Sequence, residues 1–214
     1  VSKLKWLVQT AQELEAAGPE NQDPMAKLYV VPRHTKWLEM PEDEQIYSDE
    51  AIEVGVEILR KQKKYRRDGR YSPSSIGECQ RRVVLGYNGA PQDPANLDSL
   101  DLMSMGTRDH FWWQLEGITM GWIKEAEAWR HKPELRLGGS LDAIMADDSV
   151  FELKTVMSQK YSRIIRQGHA ELAHVLQLES YFLLSGLNWG SVVYQSRDTG
   201  DYHEFRLQHD PALR

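Results

Sequence analysis

The sequence predicts an α/β fold, a mixed central β-sheet with helices on its faces. Three observations predict it. Residues Glu134 to Val156 read as two short strands joined by a tight turn at Ala146-Asp147-Asp148-Ser149. Trp189 to Gln195 and Tyr202 to Leu207 read as two more strands around an Asp198-Thr199-Gly200-Asp201 turn. The segments before and between carry helical periodicity, so the order is helices, two or three antiparallel strands, helices, then two strands. A chain of 214 residues with 41% hydrophobic side chains can bury one good core. No internal repeat or low-complexity tract interrupts it.

Residues 2–17 place Leu4, Leu7, Ala11 and Leu14 on one helical stripe, stopped by Gly18-Pro19. Leu28 to Val31 reads as a short strand closed by Pro32, and residues 33–46 carry little signal. Ser48, Asp49 and Glu50 start a helix whose expected buried face is Ile52, Val56 and Leu59. It runs into a basic segment and ends by Gly69, its cations suiting the helix dipole. Ser75-Ile76-Gly77-Glu78 has capping-box spacing, which predicts a helix carrying Cys79, Arg81 and Arg82 with an N-terminus able to hold a phosphate. Asn88 to Asn96 is a loop. The helix expected from Ser99 to Ile123 has Phe111, Leu115 and Ile118 on one stripe and Met103, Gly106 and His110 on another. Glycine inside a helix costs about 1 kcal/mol, so Gly106 suggests close approach by another group. Glu125 to His131 reads as a strand. A basic helix follows the hairpin from Ser158 to Gln167, then a helix from His169 or Ala170 to Ser185, stopped by Gly186.

Net charge is −6, which argues against indiscriminate polyanion binding by the whole surface. Residues 60–82 are the exception, with nine Lys/Arg against Asp68 and Glu78, a local balance of +7. Such a run is either a solvated helix end or a phosphate-tracking patch. A single cysteine, Cys79, excludes an internal disulfide framework and fits a reducing cytoplasm. No run approaches a membrane span, and no basic-then-apolar leader opens the sequence.

In the hairpin the period of two puts Val150, Glu152, Lys154 and Val156 on one face, and Ser140, Asp142 and Ile144 share a face on the preceding strand. Two carboxylates about 4 Å apart repel by about 4 kcal/mol at an effective dielectric near 20, so a positive group belongs between them. A divalent cation held by hard oxygen ligands, with Lys154 beside it, meets that need; a surface salt bridge on a strand pair is the plainer alternative.

Taken in order, the sequence holds Ser74-Ser75-Ile76-Gly77-Glu78-Cys79-Gln80-Arg81, Gly106-x3-His110, Gly139-x2-Asp142, Glu152-x-Lys154 and Gln177-x3-Tyr181. The series resembles the PD-(D/E)xK nuclease superfamily, in its RecB-type and Cas4-like exonuclease branch, over residues 72–208. The resemblance implies a restriction-endonuclease-like αβββαβ core in a nuclease domain spanning 47–214, with 1–46 as a mostly helical N-terminal extension. It implies His110, Asp142, Glu152 and the Leu153 carbonyl as ligands of one or two Mg²⁺ or Mn²⁺ ions. Lys154 would orient or deprotonate the attacking water or stabilise the transition state, and Gln177 and Tyr181 would position Lys154 and the substrate strand. Ser75, Arg81, Arg82, Lys63, Lys64, Arg66, Arg67, Lys160 and Arg163 would hold the DNA backbone.

There is one departure. Iron–sulfur members of the branch use four cysteines; Cys79 stands at the first position and nothing supplies the rest, so no cluster is expected. The nearer likeness is to cluster-free relatives such as phage exonucleases and the mitochondrial genome-maintenance exonuclease. The expected activity is metal-dependent exonucleolytic cleavage of single-stranded DNA or DNA ends, in recombination, repair or phage DNA processing. The expected setting is the cytoplasm of a bacterial or phage-infected cell, with no membrane partner. A structure-specific endonuclease on the same fold and a catalytically silent DNA-binding subunit stay open beside it.

Overall fold

The computed structural model describes residues 28–61, 71–91 and 96–213. The helix expected at residues 2–17, and Lys63, Lys64, Arg66 and Arg67, lie outside the described residues. Helix α1 spans Val30–Leu38, α2 Asp49–Lys61, α3 Gln80–Tyr87 and α4 Leu97–Thr119. Strands β1 (Ile123–Lys132), β2 (Leu137–Met145) and β3 (Val150–Val156) follow. Helices α5 (Ser158–Gln167) and α6 (Leu172–Ser185) then lead to β4 (Trp189–Ser196) and β5 (Tyr202–Gln208).

The five strands form one mixed sheet in the order β1-β2-β3-β4-β5. All neighbours are antiparallel except β3 and β4, which pair in parallel from Val150↔Gly190 to Val156↔Ser196 because α5 and α6 carry the chain back between them. Helices α5 and α6 cover one face over Leu141, Ile144, Val150 and Val156; α1 and α4 cover the other over Ala143, Met145, Phe151 and Leu153. The α/β sheet with flanking helices is as the sequence predicts. Among the described residues, no helix is long and apolar enough to cross a membrane.

Three local expectations fail, each for a physical reason. The segment read as a strand at Leu28 to Val31 opens α1 instead. The Tyr29, Val30 and Val31 N–H groups donate to the Glu204 carboxylate at 2.9–3.1 Å, a long-range cap that no local pattern encodes. Pro32 is tolerated because it falls in the first turn, where its missing N–H has no intrahelical partner. The division drawn at residue 46 falls between α1 and α2, and α1 is tied to the sheet through Glu204 and to α4 through the His34–Glu116 pair at 2.7 Å.

Helix α2 turns its small residues inward. Ala51, Gly55 and Ile58 are buried, while the expected core face Ile52, Val56 and Leu59 is about half exposed (51%, 41% and 52%). A Cβ at Gly55 would stand 2.8 Å from Leu115 Cδ2, so the glycine lets α2 lie directly on α4. The capping box is not made either. Ser75 Oγ donates to the Ser72 carbonyl within a 3₁₀ turn at Pro73–Ser75, and α3 begins only after Cys79. At Gly106 the Thr155 and Arg197 side chains stand at ordinary contact distance.

Candidate active site

The site forms where β2 and β3 part. Their ladder consists of Ala143↔Phe151 and Ile144↔Val150 and goes no further. Beyond it the Leu153 N–H donates to Asp142 Oδ2 at 2.8 Å, so a side chain closes the fork in place of a strand carbonyl. The backbone is shaped for this. Leu141 and Ala143, which a regular strand would point the same way, pack into opposite core clusters, so β2 turns over at Asp142. On β1, Glu127 stands between the pairs Ala126↔Ala143 and Ala128↔Leu141 with φ of 49°, a left-handed conformation that is uncommon for a residue with a side chain. Gln114 of α4 spans the step, its Nε2 donating to the Asp142 carbonyl at 2.7 Å and to Glu127 Oε1 at 3.0 Å.

The expected residues converge here. His110 Nδ1 lies 3.1 Å from Asp142 Oδ1, reached from the α4 side. Lys154 Nζ lies 2.6 Å from Glu152 Oε1 and donates to Gln177 Oε1 at 2.8 Å. Gln177 Nε2 donates to Glu152 Oε1 at 2.7 Å and to the Tyr181 hydroxyl at 3.2 Å, and Tyr181 in turn donates to the Ser140 carbonyl at 2.9 Å. Gln177 and Tyr181 meet because i and i+4 share a helix face. Small residues let the chain before α3 come close to both the sheet and this helix. A Cβ at Gly139 would be 2.8 Å from Pro73 Cδ, and one at Gly77 would be 2.7 Å from the Ala173 Cβ. The Ser72-to-Gly77 segment is thereby clamped between β2 and the start of α6.

The electrostatics follow from burial. Burial and the charge of Asp142 push Glu152 upward, against the pull of Lys154 and His110. For Asp142, burial is outweighed by His110, Lys154 and the Leu153 N–H, which hold it below the usual carboxylate range. Lys154 stays an ammonium, because Glu152 and Asp142 more than offset its burial. His110 is pushed up to about 9, burial being overcome by Asp142 and then Glu152. Asp142 and Glu152 are thus faced by two cations of the chain itself, Lys154 and His110.

The donor set fits a hard divalent cation: two carboxylates and an imidazole at one fork. A second observation agrees with it. Glu152 Oε2 is buried and has no hydrogen-bond partner among the described residues, a costly state for a carboxylate oxygen unless a positive ligand faces it. Among the described residues, however, no three His, Cys, Asp or Glu side chains are gathered into a ready-made cage. His110, Asp142 and Glu152 would hold such a cation, with His110 then binding as the neutral imidazole.

Of the expected DNA-contacting residues, Arg81 and Arg82 are exposed on α3, with Arg82 Nε 3.6 Å from Glu78. Lys160 and Arg163 both pair with Glu171, at 2.7 and 2.8 Å. Gln114, Glu127 and His174 were missed by sequence reasoning. Gln114 follows His110 by four residues and His174 precedes Gln177 by three, so helical spacing from an identified residue was the available signal; Glu127 left none.

No family model and no curated protein sequence matches the chain. Its fold is similar to that of the alkaline exonuclease LHK-Exo from Laribacter hongkongensis, with 17% identity and a TM-score of 0.50 over 68% of this chain and 80% of that one. The same protein in complex with dAMP gives 16% identity and a TM-score of 0.52 over the same shares.

Proposed function

We propose that the chain is a metal-dependent DNA exonuclease that hydrolyses phosphodiester bonds of single strands or DNA ends, in recombination, repair or phage DNA processing. One observation carries the reading: Asp142, Glu152, Lys154, His110 and Gln177 meet at a strand fork, with a buried carboxylate oxygen left unpartnered. The shared fold with LHK-Exo, an exonuclease seen with dAMP, supports it.

His110, Asp142, Glu152 and the Leu153 carbonyl would hold Mg²⁺ or Mn²⁺. When bound, the cation supplies Lewis acidity, acidifying water and relieving charge on the phosphoryl oxygens. Lys154 acts as an ammonium that orients the attacking water or takes up charge in the transition state. Gln177 fixes Lys154 and Glu152 relative to each other through one amide, and Tyr181 fixes Gln177 against β2. Ser75, Arg81, Arg82, Lys160 and Arg163 would hold the DNA backbone, as would Lys63, Lys64, Arg66 and Arg67.

The test is hydrolysis of end-labelled single-stranded DNA with Mg²⁺ or Mn²⁺. Wild type should cut, with Lys154→Ala and Asp142→Ala slower by about 10³-fold, a loss of about 4 kcal/mol of transition-state stabilisation. Equal rates would remove the site assignment. A circular strand should survive; its cleavage would favour an endonuclease, and salt-sensitive binding without cleavage a silent DNA-binding subunit.

A further inference from the structure

On the first turn of α6, one turn before Gln177, His174 stands over the parallel neighbours Lys154 and Tyr194. Tyr194 is fully buried, and its hydroxyl lies 2.6 Å from His174 Nδ1 and accepts the Glu171 N–H at 3.0 Å. Burial keeps this phenol protonated, pushing it beyond the normal tyrosine range. Among the described residues the Tyr194 proton meets no acceptor other than Nδ1, and once it is donated there the neutral imidazole carries its own proton on Nε2. Burial, then Lys154 and Lys160 outweighing Glu171, holds the ring neutral, down to about 4. The tautomer is therefore set from below by a core residue.

The geometry of the ring does the rest. Nδ1 points down to a buried hydroxyl, so the Nε2–H edge faces outward, and the side chain keeps 17% of its surface exposed. The adjacent Ala173 is the contact point for Gly77 in the Ser72-to-Gly77 segment. His174 thus flanks the Lys154–Gln177 pair on its β4 side, one residue along α6 from the Ala173 that meets Gly77. A neutral, pre-oriented N–H beside an ammonium suits a phosphate oxygen, and as a neutral group it leaves the charge balance with Glu152 undisturbed.

Resting on the exonuclease reading, we infer that His174 is a further substrate-contacting residue, whose Nε2–H donates to a backbone phosphate oxygen of the strand bound beside Lys154. Tyr194 is the positioning residue that fixes this donor.

The experiment uses the whole chain and a single-stranded oligonucleotide with Mn²⁺, comparing wild type with His174→Gln, His174→Asn and His174→Ala. A glutamine amide reaches the Nε2 position, whereas an asparagine amide reaches only that of Nδ1. His174→Asn and His174→Ala should lose about tenfold in kcat/KM, mostly through KM, as expected for one hydrogen bond to a charged group. His174→Gln should stay within about threefold of wild type, with all variants melting cooperatively. Equal losses in the Gln and Asn variants, or no loss in any, would overturn the inference. Should wild type cut nothing, the exonuclease reading fails by itself. The same ranking is then read from binding of the oligonucleotide, where loss in Asn but not Gln supports His174 and a flat series removes it.

Discussion

Two glutamates of this sheet are almost equally buried and have opposite surroundings. Glu204 on β5 is 3% exposed, and both its oxygens are occupied by neutral donors: the N–H groups opening α1 and the Ser191 hydroxyl. Glu152 on β3 is 1% exposed, yet only Oε1 is partnered, by Lys154 and Gln177, while Oε2 has nothing and Asp142 lies across the fork. The first arrangement docks a helix. The second keeps charge concentrated where packing alone would disperse it, which is what a site for a cation and a phosphodiester needs.

The sharpest way to break this contrast is the same substitution at both positions. Glu152→Gln should reduce hydrolysis by about 10³-fold while moving stability by no more than about 1 kcal/mol, because its amide oxygen can keep Lys154 and Gln177 while the NH₂ replaces the unpartnered oxygen. Glu204→Gln should do the reverse. Its NH₂ must face a backbone N–H, so denaturant unfolding should show a loss of about 2–3 kcal/mol with little change in turnover per folded molecule. Equal stability losses at the two sites would erase the distinction.

Cation binding gives the next largest effect. At about 100 times its dissociation constant, Mn²⁺ should stabilise wild type by about 2.7 kcal/mol, visible as a raised Tm. Asp142→Asn should lose that rise and Glu204→Gln keep it. A Tm indifferent to Mn²⁺ in wild type would return the fork to the status of an internal salt-bridge network.

A pH series sharpens the picture at the smallest scale. The folded His174 imidazole titrates near 4, below its ordinary 6.5, so the unfolded chain binds a proton that the native state refuses in this interval. Stability present above pH 6.5 should therefore fall as pH drops toward 4, by about 3 kcal/mol at most from this group. Unfolding of wild type and His174→Gln at pH 7.5, 5.5 and 4.5 isolates it, because the other titrating groups cancel in the difference. Parallel curves would mean the ring is freely hydrated.

Local pattern alone was enough to read the strands, the turn at residues 146–149, helices α5 and α6, and the chain order of the site residues. The period of two placed Glu152 with Lys154, and helical spacing placed Gln177 with Tyr181, because each pair shares one element. Two of the three failures depended on distant partners. Nothing near Val30 announces that Glu204, 174 residues away, will cap it as a helix. Nothing in α2 announces that Leu115 will select Gly55 over Val56 as the inward face. Glu127 was illegible, and Gln114 was signalled only by its spacing from His110, because their role arises at the step where β1 and β2 turn over, a feature of two paired strands and a helix together.

By itself, then, the sequence determined which side chains stand together on a strand or a helix turn, since backbone periodicity is local and indifferent to the rest of the chain. Only the tertiary structure decided that Asp142 would take the Leu153 N–H, that His110 would reach it from the opposite face, and that Tyr194 would set the proton on His174. Those outcomes rest on contacts between elements far apart in the chain, and burial at the fork, rather than residue type, gives them their electrostatic weight.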